Sequence, residues 1–229
     1  MRARTSSIPS IDVAELRERA EAFGLETLTT TECLTLALRR GTGRAAPGWA
    51  ERLLARFGSL PDLLGTSVVD LRREAPASLA LEIALLHDLQ RRTLEAPLRV
   101  RPVLDDLSAV GDYLRTVLAA PGREQLRVLY LDRRRRLVRD EVMGHGTLDH
   151  APCYPREILR RALELNAAGV LLARNDPAGD ARPSPEDVDR ARQVMAAGRA
   201  LRVALLDHLL VAGDEVVSFR GLGLLDGRP

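Results

Sequence analysis

One stretch of this chain gathers side chains whose types and spacing could do chemistry. Arg174-Asn175-Asp176-Pro177 is followed, six residues on, by Ser184-Pro185-Glu186-Asp187. Asp176 and Asp187 could offer oxygen ligands, which suit magnesium, manganese or calcium better than zinc. Carboxylates of this kind holding Mg²⁺ or Mn²⁺ would fit phosphodiester cleavage. Arg174 stands against it, because a guanidinium stays protonated at any working pH and repels a cation from the same spot. The second half of the stretch also reads as a helix start: Ser184 as cap, Pro185 in the first position, acids in the first turn.

The second concentration of charge is Arg133-Arg134-Arg135-Arg136. All 34 basic residues are arginine, a bias that GC-rich codons suffice to explain. The formal net charge is +2, spread evenly along the chain, so a binding face has to be a local patch. Arginine is the side chain best shaped for phosphate. Arg133 to Arg136, with Arg127 and Arg139 on adjoining strands and Arg160 and Arg161 on a helix, form the candidate patch. Its partner would be DNA, single- or double-stranded and without sequence preference, or an acidic protein surface. Aromatic residues make up 3% of the chain, leaving Tyr113, Tyr130 and Tyr154 as the members of any stacking platform.

Periodicity places the elements that must position these groups. Residues 12–95 read as short helices, with apolar repeats at Leu34, Ala37 and Leu38, at Leu53, Leu54 and Phe57, and at Leu81, Leu85 and Leu89. Thr29 and Glu32 mark a capping box. Pro97 to Pro102 reads as a linker, followed by a helix over 105–119. From Gln125 the pattern turns strand-like: Gln125–Asp132 and Leu137–Val142 flank the four-arginine turn. A helix is expected from Pro155 to Asn166, a buried strand at Gly169–Ala173 and a helix from Pro185 to Ala200. Strands at Val203–Val211 and Val216–Phe219 complete the set. The fold class is α+β: an all-helical domain over 1–96, then a mixed sheet flanked by helices over 103–229.

Several separated motifs, in order, resemble the RadC family. They are Phe57-Gly58-Ser59-Leu60 with Leu63-Leu64, Gly146-Thr147-Leu148, Tyr154-Pro155-Arg156-Glu157, Asn166-Ala167-Ala168-Gly169, Leu206-Asp207-His208, and Ser218-Phe219 with Gly223-Leu224-Leu225. The Arg174 stretch fits the His-x-His-Pro-x6-Ser-x-x-Asp frame of zinc hydrolases, with both histidines replaced. The resemblance implies a helix-hairpin-helix-like N-terminal region and a C-terminal JAMM/MPN metalloprotease fold. It also implies a zinc ion held by two histidines and an aspartate, a glutamate general base at the position of Glu124, and a serine at Ser184 aiding the oxyanion. Glu124, Arg174, Asp176, Ser184 and Asp187 are then vestigial positions, expected round one shallow cleft at the sheet's edge, where a Glu124–Arg174–Asp176 ion-pair cluster would fill the emptied cavity and keep those charges paired. The hairpin turn of the N-terminal region corresponds to Arg73-Glu74-Ala75-Pro76-Ala77-Ser78, which has no glycine and where Pro76 lacks a donor.

Three readings stay open. One is a non-catalytic RadC-like protein, needing no cofactor, that binds DNA or a protein partner in a repair or recombination context. Another is an active metal-dependent hydrolase, a residual zinc peptidase or a Mg/Mn nuclease using Glu124, Asp176 and Asp187. The third is a structural module that forms a homodimer. The apolar runs are too short to span a membrane, no leader is visible, and Cys33 and Cys153 read as free thiols, all suiting a cytoplasmic protein. His87, His145, His150 and His208 are scattered, with His208 expected as a hydrogen-bonded strand residue.

Overall fold

The computed structural model describes residues 12–119, 123–145 and 154–225. Backbone contacts divide the chain into two compact units, residues 1–87 and 88–229.

The first unit is helical: α1 (Val13–Phe23), α2 (Thr30–Thr42), α3 (Ala46–Phe57), α4 (Leu60–Gly65), α5 (Val68–Glu74) and the start of α6 (Ala77–Val100). Short polar side chains start these helices. Thr29 and Glu32 form the expected capping box, and Ser59 and Ser67 cap α4 and α5 by accepting from Asp62 and Asp70 N–H groups. The Thr29 backbone N–H and the Arg19 guanidinium lower the Glu32 pKa to about 2. Leu34, Leu38, Leu53, Leu63, Leu71, Leu79 and Ile83 build the core. In the part of α6 that belongs to this unit the buried positions are Leu79, Ala80 and Ile83; along the helix Leu81, Leu85 and Leu89 are 61%, 54% and 54% exposed. The leucine repeat identifies the helix but not its buried face.

No linker separates Pro97 from the preceding helix: α6 runs through it to Val100. Proline removes one N–H, whose acceptor in the ladder would be the Thr93 carbonyl. Thr93 and Pro97 are both exposed, so water can satisfy that carbonyl. Burial of Leu98 anchors the last turn in the second unit's core. The division between the units falls inside α6, after His87.

The second unit holds a five-stranded sheet in the order β2-β1-β3-β4-β5. Its strands are β1 (Gln125–Leu131), β2 (Leu137–His145), β3 (Gly169–Asn175), β4 (Ala204–Ala212) and β5 (Glu215–Ser218). β3 and β4 are parallel and the other neighbours antiparallel. The parallel pair needs a crossover, supplied by α9 (Pro185–Leu201). Alternation then sorts the side chains. Val128, Tyr130, Val170 and Leu172 face α8 (Pro155–Glu164) and α9, while Leu129, Leu131, Leu171 and Ala173 pack with α7 (Leu107–Val117). No helix among the described residues is long and apolar enough to cross a membrane.

Candidate functional site

Period-two geometry explains why an arginine is buried at the end of the central strand. Val170 and Leu172 point toward α9, and Arg174 follows on the same face. The first turn of α9 lies above that face, with Asp187 positioned by the Ser184 cap: the Asp187 N–H donates to Ser184 Oγ at 3.1 Å. Arg174 Nη2 meets Asp187 Oδ2 at 2.8 Å, and both side chains are almost fully buried. The next residue, Asn175, accepts from the Gln125 N–H at 2.7 Å and donates to the Arg123 carbonyl at 2.9 Å. That clamp fixes Glu124 between them, 3.4 Å from Arg174 Nη1. Asp176 is the outermost of the group, 3.9 Å from Nη1. Its other oxygen shapes the following loop by accepting from the Ala178 N–H at 2.8 Å.

Glu124, Asp176 and Asp187 therefore gather round one guanidinium. They do so at the end of the central strand, not at a lateral edge of the sheet, and the centre is closed: Arg174 is 6% exposed and Asp187 2%. Asp187 has both oxygens in use, one on Arg174 and Ser184 Oγ, the other on Arg190 Nη1 at 2.9 Å. Burial opposes its charge, yet Arg174, Ser184 and Arg190 outweigh burial and hold its pKa below the ordinary carboxylate value. Arg190 is a member that sequence reasoning missed; its i,i+3 spacing from Asp187 was the available signal.

His208 on β4 pairs with Leu172 and lies fully buried on this face. Its ring stacks on Phe219 with centroids 4.3 Å apart, and neither ring nitrogen makes a hydrogen bond. His208 is the expected hydrogen-bonded strand residue through its backbone: its N–H donates to Asp207 Oδ1 at 2.7 Å and its carbonyl accepts from the Phe219 N–H, while Asp207 also accepts from Ser218 Oγ and the Arg220 N–H. Burial lowers the His208 pKa to about 4, against the pull of Asp187, so the ring is neutral at pH 7.

These residues do not fit zinc. A positive guanidinium lies among the carboxylates, and zinc would need about three nitrogen, sulfur or carboxylate ligands directed at one point. Among the described residues no three His, Cys, Asp or Glu side chains are grouped to hold a metal ion.

The arginine patch is sorted differently. Arg127 turns inward onto Asp140 in a bidentate pair and reaches the Val117 carbonyl. Arg136 is held by Asp132 at 2.7 Å. Arg160 pairs with Glu157 and Glu164, and Arg161 with Glu141 and Glu164. Arg139 lies 3.8 Å from Glu141 and stays exposed. Arg133, Arg134 and Arg135 are exposed at the turn, with no ion pair among the described residues. The turn is tied down by hydrogen bonds: Asp132 Oδ1 accepts from the Arg134 and Arg136 N–H groups, Arg135 has φ +60°, and its carbonyl accepts from Val103 N–H at 2.8 Å. Two of the three candidate stacking residues, Tyr113 and Tyr130, are fully buried; Tyr113 donates to Asp140. Tyr154 is 53% exposed with Arg156 over its ring. His150, Cys153 and the Gly146-Thr147-Leu148 motif lie outside the described residues.

The RadC-like JAB domain model matches residues 104–224, more than half the chain. The chain belongs to the RadC family. A UPF0758 protein of Methylibium petroleiphilum is 42% identical over 213 residues, covering 91% of this chain and 96% of the relative. The RadC-like domain match begins just before α7 and runs past β5, spanning the sheet and the Arg174 site.

Proposed function

We propose that this RadC family member is a non-catalytic binding module that engages nucleic-acid phosphate at the β1–β2 turn. The observation that carries the reading is Arg174. Its guanidinium occupies the space between Glu124, Asp176 and Asp187, so the charge that a metal would supply there is already present and fixed. A nuclease using Mg²⁺ or Mn²⁺ would have to expel a buried, paired arginine. The exposed Arg133, Arg134 and Arg135 support phosphate as partner, because a hydrogen-bonded turn presents three charges without acidic neutralisation of their own.

Two measurements test this. Purified protein should hold far less than one zinc per chain and show no Mn²⁺-dependent cleavage of DNA; stoichiometric zinc or metal-dependent cleavage overturns the non-catalytic half. Changing Arg133, Arg134 and Arg135 to Ser should weaken DNA binding alike across sequences. The salt slope of log K should fall by roughly 0.7 to 0.9 for each phosphate no longer neutralised. Unchanged binding removes the turn as the point of engagement, and binding to a polyglutamate chain in place of DNA would point to an acidic protein partner.

A further inference from the structure

A second surface, on the helical unit, combines charge with an aromatic ring. Residues 39–52 hold four arginines and one acid, Glu51, and also the chain's single tryptophan, Trp49. They form the corner where α2 ends and α3 begins. Arg39 closes the end of α2 by donating to the Gly43 carbonyl at 3.3 Å. Arg40, Arg44 and Arg52 are exposed and have no ion pair among the described residues. The carboxylate of Glu82 also lies at this corner, against Gly41. Trp49 packs one side on the helical core while the Arg52 guanidinium sits 3.9 Å from its ring centroid. A Cβ added at Gly43 or Gly48 would meet nothing within 4 Å, so the backbone there is open to close approach.

We infer that this corner binds single-stranded nucleic acid, independently of the β1–β2 turn. Arg40 and Arg44 would take backbone phosphates. The Arg52 guanidinium, over the indole, offers a planar cation on which an unpaired base can stack. Bases within a duplex are already stacked on one another and cannot use such a surface. Sequence reasoning offered only tyrosines for stacking, and two of those are buried; this aromatic–arginine pair is in the other unit.

Because Trp49 is the sole tryptophan, its fluorescence reports the site directly. Full-length protein titrated with oligothymidylate at low salt should show saturable quenching. Arg40→Ser with Arg44→Ser should raise the apparent Kd at least tenfold, and Arg52→Ala should reduce the quenching; these side chains are exposed, and unchanged circular dichroism checks the fold. Arg133→Ser with Arg134→Ser and Arg135→Ser should leave the quenching in place, so failure of binding at the turn and failure at this corner are told apart. No quenching up to about 100 µM oligonucleotide, the weak end of non-specific binding, overturns the inference. So does quenching that survives the Arg40 and Arg44 changes, or equal quenching by a duplex of the same length.

Discussion

At the residue scale, Arg174 behaves as a tethered cation. Its loss would leave Asp187 buried with only Arg190 and Ser184 to hold its charge. Arg174→Met should therefore cost about 3–5 kcal/mol, the range for breaking a buried pair, read by urea denaturation at pH 7. A loss under about 1 kcal/mol, ordinary for exposed pairs, would show that Asp187 does not depend on it. His208 carries a separate, pH-dependent signature. Its folded pKa, about 4, lies below the ordinary histidine value of 6.5, so the unfolded chain binds the extra proton between those values. Stability from the neutral ring is fully present above pH 6.5 and falls until about pH 4, by on the order of 3 kcal/mol. Asp187 acts lower: its depressed pKa contributes stability above the unfolded value, 3.8, that is lost as pH falls through the folded one. His208→Gln should flatten the stability profile between pH 6.5 and 4 while leaving the drop below pH 4. A profile identical to the parent's would deny the buried neutral ring.

At the element scale, the site depends on how closely α9 sits on the sheet. Gly198 allows the tight exit from α9 into β4: an added Cβ would stand 2.3 Å from the Val203 carbonyl oxygen, which is backbone and cannot swing away. Gly198→Ala should destabilise by about 1–3 kcal/mol, the usual cost of overpacking, and tilt the helix that carries Asp187 and Arg190. A thermal midpoint equal to the parent's would mean that the helix end shifts freely. The caps at Thr29 and Ser184 were legible from sequence because their partners lie three residues away. Arg127 was not, since Asp140 reaches it only across the hairpin. The continuation of α6 through Pro97 was equally hidden, because burial of Leu98 outweighs a local breaker.

At the scale of the whole molecule, a protein whose central charge is an arginine should not need a metal to fold. Treatment with EDTA should leave the thermal midpoint unchanged within about 1 °C; for a chain of this size, 1 kcal/mol corresponds to roughly 2–4 °C. A fall of several degrees would reveal a structural or catalytic ion.

The sequence by itself determined the family, the α+β class, the strand and helix order of the second unit, and the set of residues at the end of β3. Apolar period, turn residues and motif spacing are local properties, and they survive without coordinates. Only the tertiary structure decided which charge meets which. It made Asp187 the principal partner of Arg174, with Asp176 outermost, and it closed the expected cleft. It also paired Arg127, Arg136, Arg160 and Arg161 with internal acids, leaving Arg133, Arg134 and Arg135 exposed. It buried Tyr113 and Tyr130 and put Trp49 beside Arg52. The physical reason is common to all of these: a charge or ring becomes available or silent according to neighbours that sheet pairing and helix packing deliver from elsewhere in the chain.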